Sequence, residues 1–331
     1  MSNVLVLSAG RRVSLVRGFQ DAARQRSGVR VLAADANPRL SAACAVADAA
    51  FEVPRVSAPD YAEALLDLCK RENGGLVVPT IDPELGALAD MRERLQALGA
   101  SALACDRPLI DAFADKRSTK TFFDRVGLET AALYSKDAIR YPTFVKPYDG
   151  SLSAGAMLVR APEDMPPSAL ANEKNLFCEY VDHKTHDEFT CDLYFDRSGG
   201  LRCVVPRQRL EVRGGEVSKA KAVKNDVVTR LFEVFGRLDG ARGPLTLQLF
   251  RHAQTGRMVF NEINPRFGGG YPLTRRAGAD FQAWLIAEHL FDEPVETFHD
   301  WRDGLIMLRY DDEIVVEPDA AQDAAPDSAH G

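Results

Sequence analysis

The sequence predicts an α/β domain with a doubly wound parallel sheet, followed by a β-rich α+β half. Two observations carry this. Short apolar runs alternate with amphipathic segments over roughly residues 1–108, the pattern of strands crossed over by helices. From 141 to 264 the runs instead follow one another with Gly-rich turns between them, the pattern of antiparallel strands.

In order, NVLVLSAG (3–10) reads as a buried strand ending in small residues, and a helix follows over about 12–26. VRVLAAD (29–35) is a second strand closed by an acid, and DYAEALLDLCKREN (60–73) has helical apolar spacing. GLVVPT (75–80) is a third strand, a helix covers 83–97, and SALAC (101–105) closes the domain. A helix over 115–126 leads to YPTFVKPYDGSLSAGAMLV (141–159), two strands around a Gly/Ser-containing loop. LFCEYVDHKTHDEFTCDLYFD (176–196) and LRCVVPRQRLEV (201–212) continue the β pattern, and a helix spans about 224–238. PLTLQLF (244–250) and GRMVFNEIN (256–264) form a hairpin, and FQAWLIAEHLF (281–291) is the last helix. From about 311 the chain is acidic and rich in Ala, Pro and Asp, too poor in apolar residues to pack, and its end reads as disordered.

The chain has 331 residues, 46% hydrophobic and 27% charged, enough for two or three domains. A net charge of −7 leaves no basic excess for a phosphate backbone, so no nucleic-acid partner is expected. Six scattered cysteines without a C-x-x-C pair read as reduced thiols rather than a zinc or disulfide framework. No apolar run approaches the roughly 20 residues a membrane helix needs, and the first residues enter a strand directly instead of a signal peptide. A cytoplasmic protein with no membrane partner is the expectation.

The first strand-to-helix turn, SAGRRVS, lacks the G-x-G-x-x-G fingerprint, which argues against a nicotinamide cofactor there. Loops at the carboxyl ends of parallel strands still form the usual ligand crevice. There Arg11 and Arg12 would hold a substrate carboxylate, and Asp82 or Glu84 a substrate amine; the alternative is that all four cap helices and pair at the surface.

The most informative stretch is MVFNEINPRFGGG (258–270). Regular alternation puts Glu262 and Asn264 on one face of a strand, with Met258 and Phe260, and puts Thr246, Gln248 and Phe250 on one face of its partner. If Gln248 faces Glu262, two amides and a carboxylate converge, an oxygen-only set suited to Mg²⁺ or Mn²⁺ rather than zinc. Arg266 would then face an anion held by that metal. A two-residue turn at Thr255-Gly256 would place Gln248 opposite Ile263, on the wrong face, so this reading requires a longer loop or a bulge. The competing reading makes Glu262 an edge-strand surface residue paired with Arg266, and these residues alone leave the two level.

Four segments taken together decide between them: DKRSTKTFFDRVGL (115–128), YPTFVKPYDGSLSAG (141–155), CEYVDHKTHDEFTCDLYFD (178–196) and TLQLFRHAQTGRMVFNEINPRFGGG (246–270). From about Asp115 to Leu290 the chain resembles the ATP-grasp superfamily, specifically the ATP-binding unit of carbamoyl phosphate synthase large chains and related stand-alone ligases. The resemblance implies a pre-ATP-grasp domain (1–108), a small lid with a linker helix (109–182), a C-terminal subdomain with the metal site (183–312) and the acidic tail (313–331). It implies ATP and Mg²⁺ (or Mn²⁺) as cofactors, with Lys116 and Lys146 on the phosphates. The loop Asp149–Gly155 would close over them, Ser151, Ser153 and Gly155 included. That loop is poorer in glycine than its relatives.

Glu179, Tyr180 and Val181 would be the adenine hinge and Glu188 the ribose carboxylate. Gln248, Glu262 and Asn264 would hold the metal, Gln248 standing where relatives often have Glu. Arg266, Lys146 and Asn264 would serve the chemistry. Arg213, Gly268 and Gly269 would lie near the substrate. Arg207, Arg209, Arg213 and Lys219 form a basic stretch that is either a substrate site or a solvated strand.

The reaction implied is phosphorylation of a carboxylate by ATP, giving ADP and an acyl phosphate that an amine then displaces with release of phosphate. Positioning and charge cancellation, rather than covalent catalysis, are what such a transfer requires. The alternatives are bicarbonate or carbamate phosphorylation with a partner subunit, and a non-catalytic ATP-binding regulatory module. The expected partners are a small-molecule carboxylate and amine, and a homodimer is the family-level expectation.

Overall fold

The computed structural model describes residues 2–26, 28–149 and 155–317. Its first layer is a parallel sheet of β1 (Asn3–Val6), β2 (Val31–Asp35), β3 (Ala49–Glu52), β4 (Gly74–Val78) and β5 (Ser101–Ala102), ordered β3-β2-β1-β4-β5. The crossovers are α1 (Val13–Ala23), α2 (Ala42–Val46), α3 (Tyr61–Arg71), α4 (Asp82–Asp90) and α5 (Arg92–Ala97). Both faces of β1 are covered, Leu5 packing in one core and Val4 and Val6 in another, which is why its sequence is continuously apolar. The strand order reverses between β1 and β4, and the crevice outside their carboxyl ends is where such sheets bind ligands.

The helix expected over 83–97 is broken at Met91 into α4 and α5. The short α2 and β3, and α6 (Arg107–Ala114), have no counterpart in the sequence reading. With α7 (Lys116–Arg125), capped by Asp115 accepting from the Arg117 amide, α6 brings Phe113, Phe122 and Phe123 into the main core.

A second, small antiparallel sheet comprises β6 (Leu133–Tyr134), β7 (Thr143–Pro147), β8 (Met157–Val159) and β9 (Asn175–Glu179), ordered β6-β9-β7-β8. A short helix, α8 (Pro167–Ala171), lies between β8 and β9. This sheet has its own core of Val145, Val159 and Phe177.

The third sheet contains β10 (His186–Phe195), β11 (Leu201–Arg213), β12 (Glu216–Ala222), β13 (Gly243–His252), β14 (Met258–Asn264) and β15 (Ile306–Leu308), ordered β14-β13-β10-β11-β12-β15. Helices α9 (Asp226–Phe235), α10 (Tyr271–Arg276) and α11 (Phe281–Leu290) complete the chain. One face of this sheet, with Phe189, Cys191, Leu193, Leu245, Leu247, Leu249 and Ile263, packs with the α6 and α7 phenylalanines. The other face carries the polar residues of β10, β11, β13 and β14.

All six cysteines are buried and none is bridged. Among the described residues no helix is long and apolar enough to cross a membrane. Residues 318–331, most of the tail expected to be disordered, lie outside the described residues.

Candidate functional site

The site grows from an irregularity in the β13–β14 ladder. Thr246 pairs with Asn264, Leu247 with Ile263 and Gln248 with Glu262, but Leu249 pairs with Phe260. Asn261 is the extra residue of a bulge, one of the two devices, a longer loop or a bulge, that the sequence offered for Gln248 to face Glu262. Its position corrects one expectation. Phe260 does not share the face of Glu262, because alternation restarts at the bulge. Phe260 lies in the core, 5.6 Å from the Phe123 ring.

Glu262 is half-buried, and its single hydrogen bond among the described residues comes from Asn264 Nδ2 to Oε1 at 3.1 Å. Gln248 Oε1 accepts from Arg209 Nη1 at 3.3 Å, and the same nitrogen donates to Glu188 Oε1 at 2.8 Å. Thus the residue expected on the ribose is tied to the expected metal ligands through Arg209. Among the described residues no three His, Cys, Asp or Glu side chains are grouped to hold an ion. Glu262 is the one carboxylate of its trio. The available donors are all oxygens, which fits a hard cation that draws its remaining ligands from phosphate and water.

Lys146, on β7, donates from Nζ to Asn261 Oδ1 at 2.7 Å, so the bulge also joins the small sheet to the large one. Burial holds the Lys146 ammonium below the ordinary lysine range; Cys178 and Glu262 oppose that shift and Lys116 adds to it. Lys116 opens α7, and its amide donates to the Tyr148 carbonyl at 3.1 Å. Ser151 and Ser153 lie outside the described residues. Gly155 is exposed with φ of 72°.

The Glu179 amide donates to the Ala132 carbonyl at 2.8 Å, and its carboxylate accepts from Arg257 Nη1 at 3.1 Å. Tyr180 is half-buried and Val181 buried, next to His183, whose ring meets Phe250 edge-on at 5.3 Å.

The remaining candidates gather at the β1/β4 switch point or away from it. Arg266 donates to both oxygens of Asp82, at 2.7 and 2.8 Å, and so spans from the glycine run to the first domain. Arg11 is exposed and paired with Glu216 at 2.6 Å. Arg12 is half-buried, with Nη2 3.5 Å from the Thr80 carbonyl. Glu84 is 1% exposed and lies beneath this floor, accepting from Ser8 Oγ at 2.6 Å and the Thr80 amide at 3.3 Å. Burial pushes its carboxyl pKa up. Arg213 stands on the β11–β12 hairpin, exposed and paired with Glu211 at 2.8 Å. Gly268 is buried against Thr246 and Gly269 is half-buried beside Arg12.

Three participants were missed by the sequence reading. Asn261 stands beside Glu262 as one more polar residue, with no local mark of the bulge. Glu216 and Arg309 reach the crevice only through tertiary contact and carry no local signal.

A family model described as the PylC-like N-terminal domain matches residues 4–103. A second, described as ATP-grasp in the biosynthetic pathway with Ter operon, matches residues 174–312. No curated protein matches the chain. Among solved structures, the chain is similar to the biotin carboxylase domain of Hydrogenobacter thermophilus 2-oxoglutarate carboxylase in complex with MgADP, ADP and bicarbonate. That match has a TM-score of 0.68 at 16% identity and covers 92% of this chain and 73% of that one. An N5-carboxyaminoimidazole ribonucleotide synthetase in complex with ADP matches with a TM-score of 0.66 at 17% identity, over 90% and 79%. N5-carboxyaminoimidazole synthetase from Staphylococcus aureus complexed with ADP matches with a TM-score of 0.65 at 14% identity, over 93% and 80%. These identities speak for a shared fold.

Proposed function

We propose that this chain, whose residues 174–312 match an ATP-grasp family model, is an ATP-dependent ligase that activates a carboxylate as an acyl phosphate, releases ADP and joins the acyl group to an amine. The observation that supports it most is the bulge, which turns Gln248, Glu262 and Asn264 to one face and sets Asn261 against Lys146 of the opposing sheet. Lys146 and Lys116 would hold the phosphates, and Glu179–Val181 with Glu188 would hold the nucleoside. Gln248, Glu262 and Asn264 would hold Mg²⁺ (or Mn²⁺), which when bound supplies cancellation of phosphate charge.

In the transfer, the γ-phosphorus–oxygen bond to ADP breaks as a bond to the substrate carboxylate oxygen forms; the amine nitrogen then attacks the acyl carbon and phosphate leaves. Arg266 would stabilise the transferring group. In this structure its fork lies on Asp82, so Asp82 orients Arg266 and must share it with the substrate. Acyl phosphates hydrolyse readily, so the small sheet would also serve to exclude water.

The test is nucleotide product formation with Mg²⁺–ATP against amino acids, small carboxylates and bicarbonate, singly and in pairs. ADP and phosphate that depend on a carboxylate and an amine are the expected result. AMP and pyrophosphate would mean adenylation and would overturn the acyl-phosphate mechanism.

Replacing Lys146 with Met should weaken Mg²⁺–ATP binding by about 10- to 100-fold, the worth of a charged hydrogen bond or two. The ammonium is the binding form and burial lowers its pKa. Nucleotide affinity should therefore be full at lower pH and fall as pH rises, beginning below the range of an ordinary lysine. Titration of ATP into the wild-type protein and Lys146→Met across pH checks both points, the pH dependence being lost in the variant. Unchanged affinity would remove Lys146 from the site.

A further inference from the structure

In the crevice at the β1/β4 switch point, Arg12 stands among more cations than anions. Glu216 accepts from Arg11 Nη2 at 2.6 Å and from Arg309 Nη1 at 3.2 Å. Asp82 takes the fork of Arg266. Arg12 makes no ion pair among the described residues, although it is half-buried. The charges acting on Arg12 are thus three guanidiniums, Arg266, Arg309 and Arg11, against the one carboxylate of Glu216. Burial first, then the field of Arg266, lowers the Arg12 pKa, and Arg309 and Arg11 add to that effect while Glu216 opposes it. A half-buried cation among cations is costly unless an anion joins it.

Geometry says where that anion fits. A methyl group placed on Gly269 would lie 3.7 Å from Arg12 Nη1, 3.9 Å from Glu216 Oε2 and 4.0 Å from Arg309 Nη1. These are ordinary contact distances, so there is room over Gly269 for a small group between the guanidiniums of Arg12 and Arg309, with the Arg309-paired carboxylate of Glu216 at the side. Arg309 is held in place by its amide on the Ser218 carbonyl at 2.9 Å and by Nη1 on the Val217 carbonyl at 3.1 Å. Planar guanidiniums match carboxylate and phosphate oxygens better than a point charge does.

We propose that the substrate carries a second anionic group, a carboxylate or a phosphate in addition to the carboxylate that is activated, and that Arg12 and Arg309 bind it over Gly269. The inference rests on the ligase reading above and narrows its substrate class to dianions.

The experiment is calorimetric titration of the full chain, saturated with Mg²⁺–ADP, with succinate, O-phospho-L-serine, acetate, L-alanine and L-lysine. Succinate or O-phospho-L-serine should bind at least about ten-fold more tightly than the other three; whichever of the two binds more tightly identifies carboxylate or phosphate as the second group. Arg12→Gln and Arg309→Gln should each lose about ten-fold in dianion affinity with ADP affinity unchanged. Gly269→Ala should lose as much with an unaltered Tm, because its methyl fills the anion's place without a clash. Equal binding of monoanions, no dianion binding, or wild-type dianion affinity in Arg12→Gln and Gly269→Ala would each overturn the proposal. Arginine-dependent dianion binding without ADP release from any acid and amine would retain the pocket and defeat the ligase reading. ADP release with L-lysine or L-alanine and no dianion would do the reverse.

Discussion

Glu262→Ala should reduce ATP-dependent ADP release by at least about a thousand-fold, roughly 4 kcal/mol of transition-state stabilisation. Glu262 is the one carboxylate among the three expected metal ligands and stands half-buried on the polar face of β14. Its single hydrogen bond among the described residues, from Asn264, is to a neighbour on the same strand, so removing it should leave the fold intact. Turnover under saturating Mg²⁺–ATP, with circular dichroism and Tm on the same preparation, separates a lost site from a lost fold. Near-wild-type turnover would sink the metal assignment. Restoration of activity by high Mg²⁺ would show that Gln248 and Asn264 can still hold the ion, though weakly.

Arg207→Met should destabilise the protein by about 3–5 kcal/mol, the usual cost of leaving one partner of a buried ion pair alone. Arg207 is 0% exposed and donates to both oxygens of Asp192, at 2.7 and 3.0 Å, while Thr274 donates to Asp192 as well. Among the described residues its Nη1 has no hydrogen-bond partner, and it lies against Gly270, where a methyl would come within 1.9 Å of it. The pair therefore fixes the backbone of the glycine run from beneath. Urea unfolding measures the loss, and a cost under about 1 kcal/mol would show that the pair contributes little. The double variant Arg207→Met/Asp192→Leu should regain much of the stability, because no charge is then left unpaired.

Glu262 and Asn264, two residues apart in an apolar run, were readable as a site because i and i+2 side chains share a strand face. The interval from Gln248 was readable through the family resemblance, whereas regular pairing from a two-residue turn put Gln248 on the wrong side. Asn261 resolves that conflict at a position where an amide looks like any other polar residue. The parallel sheet was legible from its continuous apolar strands, whereas α2 and β3 are too short for periodicity to register. Glu84 was read as facing a ligand because it follows a strand end; its inward direction depends on Ser8 and Tyr61, which are distant in sequence. Arg309 lies beyond the segments that carried any motif. Its role depends on β15 joining the sheet edge beside β12.

A regular strand keeps one beat, and every second side chain falls on the same layer. At Asn261 the beat is dropped, so β14 changes parity within itself: Phe260 falls to the apolar layer on one side and Glu262 to the polar layer on the other. The hairpin therefore carries a reading frame. Were Asn261 to pair as an ordinary strand residue, Glu262 would exchange with Ile263 and a carboxylate would be buried among Leu247 and Leu249. Deleting Asn261 would instead leave a regular strand with Gln248 still opposite Glu262, at the cost of the amide that meets Lys146.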